Sequence, residues 1–163
     1  MLSVLDVTIL WVHLLSAVLF VGGSFFMWLV VVPSSRLITE DESERTQIVG
    51  KIAKRFGRMA SVVLVVLVLT GVYNASWYLP SPSALFDTYT GSILLAKIIL
   101  VVALILLIYL HNVYFGRKII RFAEEKRLDQ LKAIRRTSRL VSVVNLILML
   151  AILLLAVLLQ TPL

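Results

Sequence analysis

A chain of 163 residues that is 60% hydrophobic, only 15% charged and of mean hydropathy +1.00 does not have the composition of a water-soluble domain. It has no cysteine, which excludes disulfides, thiolate metal sites and thiol redox chemistry, so a soft metal must be held by Met or His. The net charge of +7 invites a nucleic-acid reading, yet 15 of the 16 basic residues fall in two segments between apolar runs, so the charge reports topology and no nucleic-acid partner is expected.

Apolar runs cover about residues 4–32, 59–79, 92–115 and 140–159. A helix rises about 1.5 Å per residue, so roughly twenty apolar residues cross the hydrocarbon core. The expectation is an all-α, polytopic membrane four-helix bundle forming one membrane domain over residues 1–163. The first run lacks a basic leading segment and a small-x-small cleavage signal, and is longer than the apolar part of a signal peptide, so it is read as a span. Basic residues lie between spans one and two and between spans three and four, whereas the other side carries only Asp6 and Asp87. The positive-inside rule then puts both basic segments in the cytoplasm and both termini outside, in an inner cell membrane. The membrane lipid itself is the first expected partner, with anionic inner-leaflet lipid facing the basic surface.

Span one, VLDVTILWVHLLSAVLFVGGSFFMWLVVVP, is expected to run inward and stop at Pro33. His13 lies in its outer half, and Ser16, Gly22, Gly23 and Ser24 are the small residues that close helix contacts use in lipid. The Thr39-x-x-Glu42 pattern reads as a capping box and predicts a helix from about residue 41, with Ile48, Ile52 and Phe56 on one face, continuing into span two. Span two closes with Thr70, Tyr73, Asn74, Trp77 and Tyr78 before Pro80. The loop over 81–90 reads as a turn with one short helical piece. Span three carries Lys97 near its outer end and His111 and Asn112 near its inner end. Its tail keeps a helical rhythm through Ile120, Ala123, Leu128, Leu131 and Ile134, which predicts an amphipathic helix on the inner surface. Span four carries Asn145 in its inner third and Met149 nearer the middle, and ends with Gln160, Thr161 and Pro162 outside. The nine carboxylates lie at or beyond the ends of the apolar runs, so no carboxylate relay crosses the membrane.

Counting depth along antiparallel spans sorts the polar groups into two levels. His13, Asn74 and Lys97 lie towards the outer face, with Gln160 and Thr161; Met27, Met59, His111, Asn112 and Asn145 lie towards the inner face. His13 and His111 differ in depth by roughly 15 Å or more, so one haem iron cannot take both as axial ligands. An ionisable group inside a span costs on the order of 2.5 to 3.5 kcal/mol and needs either a partner or a task. Lys97 either snorkels to the outer headgroups or faces the bundle beside His13 to hold an anion or a carbonyl. His13 is either a hydrogen-bonded core histidine or a reactive group. Met27, Met59 and His111 at one level are thioether and imidazole donors suited to Cu(I), or a histidine at the interface and two gap-filling methionines.

Taken together, HLLSAVLFVGG in span one, KRFGRMA opening span two, LTGVYNA near its end, GSILLAK opening span three, the HN at its close and the terminal QTP resemble the copper resistance protein D (CopD) family, over nearly the whole chain. The resemblance implies a polytopic inner-membrane protein of copper transport or copper resistance, more a copper handler than an enzyme, often working with an extracytoplasmic copper-binding protein. Residue by residue it reaches His13, Arg55, Arg58, Gly71, Asn74, Gly91, Lys97, Asn112 and Pro162. Longer members have additional spans, and a homodimer is the way a four-span unit would supply a second bundle. A span-one histidine matched with a span-three lysine also resembles the HemJ-type four-span membrane proteins. That resemblance implies a membrane oxidoreductase holding haem b or a porphyrin, with His13 on the iron or a proton and Lys97 on a propionate. A third reading is an accessory subunit or scaffold whose polar residues join helices. No Ser-His-Asp arrangement, phosphate-binding glycine loop or carboxylate dyad is present.

Overall fold

The computed structural model describes residues 3–79 and 81–160; the expectations for Thr161 and Pro162 lie outside the described residues. In chain order the helices are α1 (Val4–Leu37), α2 (Glu42–Tyr78), the short α3 (Ala84–Asp87), α4 (Tyr89–Glu124) and α5 (Leu128–Leu158). Each of the four long helices holds a segment long and apolar enough to cross a membrane, which makes this a multi-pass membrane protein. Among the described residues there is no strand.

The most extensive contacts pair α1 with α2 and α4 with α5, while α5 also packs on α1 and the final turns of α4 (117–124) lie against α2. The result is a closed ring of four helices around a small core. Phe20 of α1, Leu104 of α4 and Leu146 and Met149 of α5 form its centre, with Val63, Leu64 and Leu67 of α2 packed around them. Apolar residues such as Val18, Val62, Leu106 and Leu154 face outward. In water such a surface would aggregate; against lipid tails it is at no disadvantage, so close contacts between helices must come from shape and polar groups. One such contact joins two motifs: a Cβ on Gly23 would stand 2.6 Å from Phe56 Cε2, so the ring lies directly over the glycine.

Three helix ends depart from the sequence expectation. First, α1 does not stop at Pro33. A π-helical turn over Met27–Val31 sends the Val32 N–H to the Met27 carbonyl, so the ladder has already widened where Pro33 supplies no donor, and the helix runs on to Leu37. Second, α2 is capped by Asp41. Its carboxylate accepts from Ser43 N at 2.7 Å and Glu44 N at 3.2 Å, and a charged acceptor suits the positive end of the helix. Thr39 instead donates to Glu44 Oε2 at 2.8 Å.

Third, residues 117–139 are not one surface helix. The chain turns at Lys126, whose φ of 52° is left-handed, and two bonds close the end of α4: Lys126 N to Ala123 O at 3.2 Å and Arg127 N to Phe122 O at 3.0 Å. This is the Schellman arrangement with lysine where glycine is usual. Of the apolar stripe, Ala123 and Leu131 are buried, Ile120 and Ile134 half-buried and Leu128 exposed, and the Ser43 hydroxyl donates to the Ala123 carbonyl.

At the opposite end, α3 packs so closely on α4 that a Cβ on Gly91 would stand 2.0 Å from Ala84 O and 2.8 Å from Leu85 Cα. Both are backbone atoms that cannot swing aside. The Gly91 N–H donates to the capping Thr88 Oγ1 at 2.9 Å. Gly91→Ala should therefore lower stability by about 2 kcal/mol or more, as overpacking against backbone does. Lys126→Gly should raise it by about 1 kcal/mol by removing the left-handed strain of a residue with a Cβ. Thermal unfolding in detergent followed by circular dichroism reads both signs.

Candidate functional site

The polar cluster at the end away from the basic segments is built on α1 and α2. Thr70 and Asn74 are four residues apart and share one face of α2. His13 of α1 meets that face, with its Nδ1 2.8 Å from Thr70 Oγ1. The Thr70 hydroxyl has a single proton, and the Val66 carbonyl at 2.7 Å and the Leu67 carbonyl at 3.3 Å are both placed to accept it. With its proton on the helix carbonyls, Thr70 Oγ1 accepts and His13 Nδ1–H donates. In the neutral ring this leaves the lone pair on Nε2, the arrangement that a metal-ligating or proton-accepting imidazole requires.

Gly71 makes room for the ring: a Cβ there would lie 3.3 Å from His13 Cε1. One turn outward, Asn74 is buried and its Oδ1 has no hydrogen-bond partner among the described residues, which costs about 1–3 kcal/mol unless something else satisfies it. Nearer the helix ends, Tyr73 OH donates to Asp6 Oδ1 at 2.8 Å and fixes the register of α1 on α2. Lys97 of α4 is partly buried and close enough for its charge to act on His13. His13 is thus set on the Thr70–Asn74 face of α2, with the charge of Lys97 acting on it from α4.

The inner-level group is more dispersed. His111 Nε2 is 2.9 Å from Ser138 Oγ of α5, and its ring lies against Phe115 at 5.5 Å between centroids. Met27 is partly buried and Met59 is 47% exposed on the outer surface of α2. Among the described residues no hydrogen bond or ring contact links His111 to either methionine. Met27 and His111 do share one property: each opens a π-helical turn, Met27–Val31 in α1 and His111–Gly116 in α4. Asn145 is buried and its Oδ1 has no hydrogen-bond partner among the described residues, whereas Asn112, Arg55 and Arg58 are exposed. Among the described residues, no three His, Cys, Asp or Glu side chains gather as a metal-holding group.

Thr70 and Ser138, the partners of the two histidines, were not singled out as site residues by the sequence. The available signal was a hydroxyl at the same counted depth as each histidine.

The family model described as Copper resistance protein D matches residues 50–159. The chain belongs to the copper resistance protein D family. No curated protein and no solved structure matches it. Membership makes this a copper resistance membrane protein, and nothing in the match extends to the HemJ-type proteins. Within this CopD-family chain the matched stretch takes in nearly all of α2 together with α4 and α5, but not α1. His13 is joined to it through space: LTGVYNA supplies the acceptor Thr70, the clearance at Gly71 and the buried Asn74.

Replacing Thr70 with Val should strand the His13 Nδ1–H and release the tautomer. Nitrogen-15 magic-angle-spinning spectra of histidine-labelled protein at alkaline pH, with His111→Gln isolating the His13 signals, should show the Nδ1–H form in the wild type and a mixture in Thr70→Val. A wild-type ring protonated at Nε2 would contradict the assignment.

Proposed function

We propose that this CopD-family protein passes copper across an inner cell membrane, with the basic end of the bundle in the cytoplasm and the His13 cluster on the outer side. Copper is the cargo here, taken as Cu(I) and moved by ligand exchange without change of oxidation state. The observation that carries the reading is the Thr70 acceptor, which holds the His13 ring by Nδ1–H and leaves Nε2 as a neutral donor of the kind Cu(I) accepts. An extracytoplasmic copper-binding protein is the proposed donor. His111 and Met27, each opening a π-helical turn towards the basic end, are the proposed exit ligands.

Lys97 gives the entry site its character. An ammonium close to a cation site repels the ion, and in a low-dielectric span that repulsion is weakly screened. A resident metal would be poorly served by such a neighbour. A cargo ion must also leave, and a site that binds too tightly does not conduct. Lys97 thus acts as the weakening element.

Two substitutions with opposite signs test this. In Cu(I) titrations of the detergent-purified protein against a competing chelator, His13→Gln should weaken binding by about tenfold or more, and Lys97→Met should tighten it by about tenfold, roughly 1.4 kcal/mol. Copper accumulation by cells should fall in both, for want of a ligand in the first and for slow release in the second. Unchanged affinity and accumulation in His13→Gln would overturn the copper reading. The nearness of His13 and Lys97 also fits a haem propionate, and the absorption spectrum of the same sample decides between them: an iron-containing Soret band lost in His13→Gln would replace copper with haem.

A further inference from the structure

At the basic end, α1, α2 and α5 enclose a half-open cavity of about 540 Å³, distinct from the His13 cluster. Six cationic side chains line it: Arg36 of α1, Arg45 of α2, and Lys132, Arg135, Arg136 and Arg139 of α5. Against them stands the single carboxylate of Glu42, already engaged by Arg135 Nη1 at 3.0 Å, with the two side chains 28% and 25% exposed. Burial, and then the charges of Arg45 and Arg139, push the Arg135 guanidinium below its ordinary value, while Glu42 opposes them. The four α5 residues follow a spacing of three, one and three, which collects them on one helix face.

Like charges so placed destabilise a helix, and here they are gathered around a concavity that one carboxylate cannot neutralise. The remaining wall is apolar. Trp28, Leu29, Val32 and Pro33 supply it, and they belong to the last apolar turns of α1, at the level where its membrane-crossing segment ends. A chamber that is cationic on one side and continuous with a lipid-facing helix on the other matches a ligand with a phosphate and a hydrocarbon tail. A soluble anion would make no use of the apolar wall.

We propose that this cavity is a binding site for the head group of an anionic phospholipid, its phosphate oxygens held by Arg135, Arg136 and Arg139 and its glycerol end lying against Trp28 and Val32. The excess of five positive charges favours a head group with two phosphates over one with a single negative charge.

Native mass spectrometry of the full chain in neutral detergent tests the site, using diphosphatidylglycerol, phosphatidylcholine and inorganic pyrophosphate as probes. Diphosphatidylglycerol should be retained at least about tenfold more tightly than phosphatidylcholine, and the double variant Arg136→Gln/Arg139→Gln should lose roughly tenfold or more of that affinity. Among the described residues neither makes a salt bridge, so the fold should persist, and circular dichroism checks this. Lys51→Gln/Lys54→Gln, which removes two exposed cations outside the cavity, should leave the affinity unchanged. An equal loss in both double variants would reduce the effect to a diffuse basic surface and overturn the site. So would retention unaffected by the cavity variant. Pyrophosphate binding as tightly as the lipid, and displacing it, would assign the cavity to a soluble phosphate and overturn the lipid.

Discussion

A threonine hydroxyl has one proton to give, and in this protein that proton decides how a histidine is held within the membrane. When Thr70 donates to its own helix at Val66, as hydroxyls in apolar helices commonly do, it accepts from His13. Without that second bond Thr70 would be an ordinary helix residue, and the imidazole would be an unpaired polar group in a span. With it, α1 and α2 are fixed in rotation about one another, because the ring must reach Thr70 while clearing Gly71. The same rotation sets the Gly23 contact with Phe56 two to three turns further along α1 and the Tyr73 bond to Asp6 towards its start.

In lipid this matters more than it would in water. The centre of the core is Phe20, Leu104, Leu146 and Met149, and most of the remaining apolar surface faces outward, where burial against another helix gains little over burial against lipid. Specific geometry must then come from close backbone approaches and from the few polar pairs. The motifs that carry the family likeness are largely such places. Gly71 clears a ring, Gly91 lets α3 sit on α4, and Phe56 covers Gly23. Their short, apolar appearance in the sequence conceals contacts made between helices.

The segregation of charge and the four apolar runs made the spans legible, because both follow from the cost of putting ions in hydrocarbon and hold whatever the packing. Counting depth along antiparallel helices put His13, Asn74 and Lys97 at one level, and the packing adds the bond from His13 to Thr70. What could not be read was anything that depends on rotation or on backbone exceptions. Thr70 and Ser138 are two among many hydroxyls, and only the packing of α1 on α2 and of α4 on α5 selects them as histidine partners. Pro33 looked like a stop because a π-helical turn, which has no sequence signature, absorbs its missing donor. The surface-helix expectation for 117–139 failed at Lys126, since the stripe of apolar residues was real but folds on both sides of a left-handed lysine.

The two ends of the bundle pose opposite electrostatic problems, and the two proposals meet there. At the His13 end the donors are neutral and a single ammonium weakens the hold on a cation. At the basic end a cation leaving the bundle would meet the field of six clustered positive side chains, of which Arg45 and Arg135 are half-buried. A copper ion moving in that direction would climb a potential. A two-phosphate head group seated among Arg135, Arg136 and Arg139 would offset about two of the five excess charges and lower that potential. On this reasoning the proposed lipid site would be part of the energetics of the proposed copper path.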